Sequence, residues 1–308
     1  MFDNLWVEKY RPTKLDDIIM SSDNRSIIKK YETDREIPNL LFCGNPGTGK
    51  TTLAKVIVNS ILECQYLYIN ASDENGIDTI RSKVTQFAQT RSFDGGIKVI
   101  ILDECDGLSQ DAQRALRNTM EEFAARTRFI LTANYNHKII PALQSRCQSI
   151  DLTPPLDSCM DRIDFILLGQ GISIDSKQRN ELKKFVKSNY PDLRRIINEV
   201  QKYTATGALK LSDNTSCNDI VKKVLALTLS GHVLKVRKFV IENEEKFNGD
   251  YNHLLSQLFD YIDKSNLTDT QKGMGLVIIA ESMYRTAFVV DQEINFYSCM
   301  IQLSELKS

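Results

Sequence analysis

Residues 44–51 have the types and spacing of a phosphate-binding loop. They read Gly44-Asn45-Pro46-Gly47-Thr48-Gly49-Lys50-Thr51 and fit the pattern G-x-x-x-x-G-K-[ST]. The apolar run 39–43 before them reads as a buried strand, and residues 52–58 after them read as the opening of a helix. Glycines let backbone N–H groups approach phosphates, and a helix N-terminus adds positive potential. The sequence therefore predicts a site for a nucleoside triphosphate.

Two side chains of this loop are placed to act on the bound nucleotide. Lys50 would reach the β- and γ-phosphates, and the Thr51 hydroxyl would bind Mg²⁺. The chain has no N-K-x-D motif of the kind that selects guanine, which favours ATP over GTP. We therefore predict that ATP and Mg²⁺ bind at residues 44–52, with Thr52 as the last contact of the loop.

Two adjacent carboxylates follow a second buried strand. The apolar run 99–102 ends in Asp103 and Glu104. Ligands of an open parallel sheet gather at the carboxyl ends of its strands, so these acids are expected beside the phosphate loop. In enzymes of this kind the first acid holds Mg²⁺, and the second polarises the water that attacks the γ-phosphate. We predict that Asp103 is a metal ligand and Glu104 is the general base. The alternative is an acidic turn after the strand, in which neither residue has a catalytic role.

Three further polar residues are candidates whose roles the spacing leaves open. Asn134 ends a strand pattern and could orient the attacking water, but asparagine is equally suited to a turn. Arg146 precedes the last strand and could stabilise transition-state charge, whereas a lone arginine more often forms a surface salt bridge. Arg194 lies at the start of a helical pattern and could reach back to the nucleotide. Spacing alone does not place any of the three in the site.

The elements that must position these residues alternate between strand and helix up to residue 153. Stretches that are continuously apolar or alternate with period 2 are separated by helical patterns and read as four further strands, at 66–70, 97–102, 128–133 and 149–152. This alternation predicts an α/β domain at 1–153, with a parallel sheet and helices on both faces. Only helical patterns follow, and a polar linker begins at residue 211. We predict a small helical domain at 154–210 and an all-α domain at 211–308.

The composition of the 308 residues is that of an ordinary globular protein, with 42% hydrophobic and 26% charged residues. No apolar run approaches the roughly eighteen residues of a membrane span, and no signal pattern is present, so we expect a cytoplasmic protein without a membrane partner. The seven cysteines and three histidines are scattered, which argues against disulfides and structural zinc. With a net charge of −1, any nucleic-acid partner must be bound by a local patch.

The N-terminal stretch 6–12 reads Trp-Val-Glu-Lys-Tyr-Arg-Pro. Pro12 biases Arg11 toward an extended backbone, which predicts an ordered arm rather than a helix. Such an arm could pack on the adenine base, or it could be a terminal strap over the core. Residue types alone do not separate the two interpretations.

Two helix starts carry basic residues that could follow a nucleic-acid backbone. The helical pattern that includes Ile77 has Arg81 on its polar face, and Ser109 can cap a helix with Arg114, Arg117 and Asn118 outward. Helix N-termini and scattered basic side chains contact phosphates without reading sequence. Acids and bases are equally numerous around these helices, however, so solvated faces are favoured on these grounds alone.

Together these residues resemble the AAA+ ATPase subunits of DNA sliding-clamp loaders over about residues 4–208. Within that family the chain most resembles the large ATPase subunit of T-even bacteriophages, and the small subunits of replication factor C are the close second. The last ninety or so residues match only as a helical collar. The stretches that carry the resemblance are WVEKYRP (6–12), GNPGTGKT (44–51), SDENGID (72–78), LDECD (102–106), DAQRALRNTME (111–121), TAN (132–134), SRC (145–147) and DLRR (192–195).

The resemblance implies roles for the site residues. Asn134 would be the first sensor and Arg194 the second, in a lid domain at 154–210. Arg146 would be an arginine finger that acts in trans on the ATP of a neighbouring subunit. Glu104 and Lys50 would keep their catalytic roles. The adenine side would be lined by Val7, Tyr10, Arg11 and Pro12.

The resemblance also implies partners and a function. Phe93 would contact the sliding clamp, and the backbone of primer-template DNA would be bound by Arg81, Arg114, Arg117 and Asn118. The chain would assemble with copies of itself and a non-identical subunit into a five-subunit ring through its collar. ATP would order this ring to open the clamp, and DNA-stimulated hydrolysis would release the clamp on DNA. The alternatives are a structural subunit that binds ATP, and a AAA+ helicase or branch-migration motor.

Overall fold

The computed structural model describes most of the chain. The chain divides into two compact units, Met1–Leu211 and Ser212–Ser308. The side chains of residues 79, 81 and 215–219 are outside the description. The residues described are 5–73, 76–90, 96–205, 207–209, 215–244, 247, 249–263, 265, 267–286 and 288–306.

The first unit contains a five-stranded parallel sheet with the strand order β2-β3-β4-β1-β5. Its strands are β1 (Leu40–Cys43), β2 (Tyr66–Asn70), β3 (Lys98–Asp103), β4 (Thr127–Ala133) and β5 (Gln148–Asp151). Every predicted strand is present, and each boundary differs by at most one residue. The predicted fold class, a parallel sheet with helices and a helix-rich C-terminal region, is therefore confirmed.

Helices cover both faces of this sheet because alternate strand residues point in opposite directions. Phe42, Ile101 and Ile130 belong to one buried cluster with residues of the helices on that face, and Leu41 and Ile100 belong to the other. Both faces are apolar, as is usual in parallel sheets. The helices of this region are α1 (Trp6–Lys9), α2 (Ser22–Asp34), α3 (Lys50–Val56), α4 (Ile77–Thr79), α5 (Thr85–Gln89), α6 (Gln110–Glu122) and α7 (Pro141–Gln144). Helix α3 continues as a π-helical turn (Ile57–Ile61), and a second π-helical turn (Ile80–Val84) joins α4 to α5.

A group of three helices follows the sheet within the first unit. They are α8 (Leu156–Gly169), α9 (Ser176–Asn189) and α10 (Leu193–Tyr203). Trp6 of α1 is buried in their apolar cluster, and its backbone N–H donates to Gln201 Oε1 at 2.9 Å. The prediction of an arm without helix is therefore wrong at residues 6–9. Pro12 restricts only the residue before it, and α1 ends at Lys9, before that restriction applies.

The second unit contains five helices among its described residues. They are α11 (Thr215–Leu229), α12 (Val233–Glu242), α13 (Tyr251–Asp263), α14 (Asp269–Thr286) and α15 (Gln292–Ser304). Their shared core includes Val224, Leu255, Phe296 and Met300, all nearly inaccessible. Among the described residues of the whole chain, no helix is long and apolar enough to cross a membrane.

Candidate nucleotide-binding site

The loop 44–49 contains glycines in backbone conformations that residues with side chains rarely adopt. Gly44, Gly47 and Gly49 have φ values of 139°, 78° and 93°, and helix α3 begins directly after them at Lys50. Lys50 is only 7% exposed, and its Nζ donates to the carbonyl oxygens of Gly44 and Asn45 at 2.8 Å each. Burial lowers the pKa of Lys50, and the nearby Asp103 carboxylate opposes that shift. The loop therefore holds a desolvated ammonium group at the start of a helix.

The carboxylate of Asp103 lies beside the first turn of this helix. The Thr51 hydroxyl is 2.8 Å from Asp103 Oδ1 and 2.9 Å from Oδ2. Thr132 Oγ1 donates to Oδ1 at 2.6 Å, and the Tyr68 hydroxyl donates to Oδ2 at 2.8 Å. The structure thus brings together Lys50, Thr51 and Asp103, which the sequence predicted as a group.

Thr132 and Tyr68 are contacts of Asp103 that the sequence analysis missed. Thr132 belongs to the stretch TAN and to a predicted strand, and Tyr68 belongs to another predicted strand, but neither residue is predicted to contact Asp103. Strands β2 and β4 flank β3, and Asn70 of β2 pairs with Asp103 itself. The signal was a polar hydroxyl within each flanking strand, but using it required the strand order.

Glu104 follows Asp103 in a left-handed backbone conformation, with a φ of 56°. Its N–H donates to Thr132 Oγ1 at 3.0 Å, and the residue is exposed. A non-glycine residue in this region is uncommon, and such conformations cluster at functional sites. The chain therefore turns sharply at the end of β3, and Glu104 is separated from the buried strand that precedes it.

Asn134 lies at the end of β4, and its backbone is tied to the segment that follows Glu104. Its N–H donates to Asp106 Oδ1, and the N–H of Tyr135 donates to Asp106 Oδ2, both at 3.3 Å. Asp106 is a third residue whose role the sequence analysis missed. It couples the ends of β3 and β4, the two strands that carry Glu104 and Asn134.

A pocket beside the glycine loop contains the residues predicted for the adenine side. Val7, Tyr10, Arg11 and Pro12 all line it. The same pocket is lined by Gly47, Thr48, Gly49, Thr52 and Arg194. It is also lined by residues that were not predicted as site residues: Asp17, Ile18, Ile19, Pro154, Arg162, Leu193 and Ile197. The structure therefore joins the N-terminal segment, the glycine loop and α10 in one pocket.

Helix α10 begins against the glycine loop. Its N-terminal cap is Asp192, whose Oδ1 accepts from the N–H of Arg195 at 2.9 Å. A Cβ built on Gly47 would lie 1.9 Å from Asp192 Oδ1, so a side chain there would displace the cap of α10, and the φ of 78° also favours glycine. Arg194, one residue into the helix, lines the pocket as described above. Close packing of a helix start on the loop is what gives Arg194 access to this site.

Arg146 lies outside this pocket, on the surface. It forms an ion pair with Glu121 of α6, with Nε donating to Glu121 Oε1 at 2.7 Å, and its Nη1 donates to the carbonyl of Ala142 at 2.8 Å. It is not among the described residues that line the pocket of its own chain. The surface salt bridge that the sequence left open as an alternative is thus observed.

The residues predicted to contact DNA and the clamp are described only in part. Ser109 Oγ caps α6 as expected, accepting from the N–H of Ala112, while Arg114 and Asn118 are exposed. Arg114 pairs with Asp111, and the Arg117 guanidinium donates to Asn118 Oδ1. The side chain of Arg81 and the whole of Phe93 lie outside the described residues.

Comparison with known proteins agrees with this geometry. Residues 40–154 match the model of the ATPase family associated with various cellular activities (AAA). Two RuvB variants from Thermotoga maritima share the fold. One has a TM-score of 0.56 at 17% identity, covering 95% of this chain and 90% of its own. The other has a TM-score of 0.52 at 18% identity, covering 81% of this chain and 85% of its own.

Sequence relatives are closer and cover nearly the whole chain. The replication factor C small subunit of Thermofilum pendens is 34% identical, covering 99% of this chain and 97% of the relative. That of Sulfurisphaera tokodaii is also 34% identical, covering 97% and 95%. Replication factor C subunit 3 of Saccharomyces cerevisiae is 35% identical, covering 78% and 71%. The chain therefore belongs to the replication factor C small subunits, and it is a AAA-family ATPase that serves as a clamp-loader subunit in DNA replication.

Proposed function

We propose that the described pocket binds ATP with Mg²⁺ and that the residues around it carry out hydrolysis during clamp loading. The observation that carries this proposal is the contact between Thr51 and Asp103 at the first turn of α3, beside the buried Lys50. A hydroxyl and a carboxylate are the oxygen ligands that Mg²⁺ prefers. The donor set therefore fits the ion, which when bound would neutralise charge on the phosphate oxygens.

Each residue near the loop has a task that follows from its position. Backbone N–H groups of 44–49 bind the phosphates, and Lys50 exchanges its carbonyl partners for phosphate oxygens. Glu104, exposed after the turn, accepts the proton of the attacking water. Asn134 orients that water, and Arg194 reaches the phosphates from the start of α10. The adenine packs against the pocket wall formed by Val7, Tyr10, Arg11 and Pro12.

Arg146 completes the site of a neighbouring subunit rather than its own. Its position away from the pocket of its own chain supports this assignment, since an arginine finger must lie close to the γ-phosphate. A site of this kind forms only in an assembly. We propose that the assembly contains copies of this chain and a non-identical subunit, in a five-membered ring held together by the helices of residues 211–308.

The DNA and clamp contacts remain proposals. Arg114, Arg117 and Asn118 lie on one helix that begins with a capped N-terminus, which suits contact with the backbone of primer-template DNA. Arg81 would join them, and Phe93 would contact the sliding clamp. The relatives above are archaeal and yeast proteins and give no support to a bacteriophage origin. The cytoplasmic location stays a prediction.

ATPase turnover with and without primed DNA and a sliding clamp tests the proposed function. We expect stimulation by the pair. A Glu104→Gln variant should bind ATP normally but lose DNA-stimulated turnover, because the amide cannot accept the proton. Turnover that survives this change would refute the role of the base. Strand displacement without a clamp would favour a helicase or branch-migration motor instead, and ATP binding without turnover would favour a structural subunit.

A further inference from the structure

The carboxylate of Asp103 is held from both sides of its own strand. Thr132 comes from β4 and Tyr68 from β2, the two strands that flank β3. Thr132 donates to Oδ1, whereas Tyr68 donates to Oδ2. Each oxygen of the carboxylate therefore has a donor of its own from a neighbouring strand.

Thr51 does not replace either of these donors. Its hydroxyl lies within 2.9 Å of both carboxylate oxygens, but a hydroxyl has one hydrogen and can donate to only one acceptor at full strength. Thr51 is also needed as a ligand of Mg²⁺ through the same oxygen. Tyr68 is therefore the one described side chain other than Thr51 that donates to Oδ2.

The ring of Tyr68 also contacts a residue of helix α3. Tyr68 lies two residues before Asn70, which pairs with Asp103, so its side chain stands on the same sheet face as that carboxylate. The Nζ of Lys55, on α3, lies 4.8 Å from the ring centroid, a cation–π distance. The ring thus lies between the helix that follows the glycine loop and the edge of the sheet, and its hydroxyl reaches Asp103.

We propose that Tyr68 is a positioning residue for the Mg²⁺ site. By donating to Oδ2 it holds the plane of the Asp103 carboxylate relative to the Thr51 hydroxyl, and these two groups would bind the ion. Groups that orient a metal ligand in this way affect metal affinity although they do not touch the metal. The inference rests on the proposed role of Asp103 as the acid of the Mg²⁺ site.

A pair of matched variants tests this proposal. Tyr68→Phe removes only the hydroxyl and keeps the ring over Lys55. Tyr66→Phe is the control, because Tyr66 lies on the same strand and the same face, and both tyrosines are 37% exposed. The affinity for ADP is measured by titration calorimetry over a range of Mg²⁺ concentrations and again in EDTA. Asp103→Asn serves as the reference for loss of the metal ligand itself.

We expect Tyr68→Phe to raise, about 3- to 10-fold, the Mg²⁺ concentration at which the affinity for ADP reaches half of its full increase. This is less than the usual loss of metal affinity on mutation of a residue that orients a metal ligand, because the ring is partly exposed. Its affinity for ADP in EDTA should match that of the unmodified chain, and Tyr66→Phe should change neither quantity. A Tyr68→Phe variant that behaves like Tyr66→Phe overturns the inference. So does one that also loses ADP binding in EDTA, since Tyr68 would then act on the pocket generally.

The reference variant separates this failure from failure of the proposed function. If Asp103→Asn leaves the Mg²⁺ dependence unchanged, the metal assignment of Asp103 is wrong, and the proposed function fails at that point. If Asp103→Asn weakens Mg²⁺ while Tyr68→Phe does not, only the role of Tyr68 is wrong. Electron paramagnetic resonance with Mn²⁺ in place of Mg²⁺ gives a second readout. The spectrum of bound Mn²⁺ should broaden or shift for Tyr68→Phe and not for Tyr66→Phe.

Discussion

Two of the cations proposed to act on ATP, Lys50 and Arg146, lie in opposite surroundings. Lys50 is 7% exposed and donates to two backbone carbonyls, whereas the Arg146 side chain is 34% exposed and pairs with Glu121, which is 50% exposed. Exposed ion pairs contribute only about 0–1 kcal/mol, so Arg146 can exchange its partner at little cost. Lys50 is held in place by its own chain. The contrast teaches that one half of the proposed catalytic machinery is preorganised and the other is free to change partner.

A mixture of two inactive variants is the strongest way to break this comparison. Lys50→Met and Arg146→Ala should each lower ATPase turnover of the assembled clamp loader by about 10³-fold. A mixed assembly should recover activity, because an intact glycine loop from one variant can meet an intact Arg146 from the other. Random mixing would restore about a quarter of the interfaces between copies of this chain.

Turnover in this experiment is measured on primed DNA with a clamp. The control is a mixture of Lys50→Met with a variant that carries both Lys50→Met and Arg146→Ala. No subunit in this mixture has an intact Lys50, so the mixture should stay inactive. Failure of the first mixture to exceed this control would show that Arg146 does not act in trans.

The buried side of the site can be tested within a single strand. Thr132→Val removes the donor to Asp103 Oδ1 and the acceptor of the Glu104 N–H, and should lower turnover about 10- to 100-fold and the free energy of unfolding by about 1–3 kcal/mol. Thr127→Val is the matched control. Thr127 is also buried in β4, but its hydroxyl has no hydrogen-bond partner among the described residues.

Thr127→Val should therefore be neutral or slightly stabilising, with normal turnover. Steady-state kinetics and urea unfolding measure both effects. Equal losses in the two variants would mean that the Asp103 network contributes nothing beyond the burial of a threonine.

The cost of burying Lys50 predicts a stability effect that opposes its effect on activity. Burial lowers the pKa of Lys50, so its charged form destabilises the fold at neutral pH. At pH 7 the free energy of unfolding of Lys50→Met should equal or exceed that of the unmodified chain. This advantage should shrink as pH rises from the folded-state pKa toward the ordinary value of 10.5, because only the unfolded chain then binds the proton.

Urea unfolding of Lys50→Met and of the unmodified chain at several pH values measures this difference. A lower stability of Lys50→Met at pH 7 would show that the two carbonyl contacts outweigh desolvation. In that case Lys50 would be a structural cation as well as a proposed phosphate ligand.

Removal of Glu121 should have the smallest effect of all. Glu121→Ala leaves Arg146 with its bond to the Ala142 carbonyl, and an exposed pair contributes little. We expect the free energy of unfolding to fall by less than about 1 kcal/mol and turnover to change by less than about threefold. A large loss of turnover with unchanged stability would instead assign Glu121 the task of positioning Arg146.

Local patterns were sufficient for much of the fold and for the centre of the site. The central strands β1, β3 and β4 were predicted because a parallel strand buried on both faces is apolar nearly throughout. The edge strands β2 and β5 are more exposed and were predicted from alternation between apolar and polar residues. The helix at Ser109 followed from its cap. The turn at 6–9 was missed because the extended bias of the residue before Pro12 was applied to the whole segment, while the burial of Trp6 depends on helices far along the chain.

By itself the sequence determined the phosphate loop, the paired acids and the succession of strands and helices, since these depend on neighbouring residues. Only the tertiary structure decided which strands flank β3, and hence that Thr132 and Tyr68 hold Asp103. It also decided that the start of α10 lies on Gly47 and that Arg146 is held at the surface by Glu121. Such contacts join segments distant in sequence, and no local spacing encodes them.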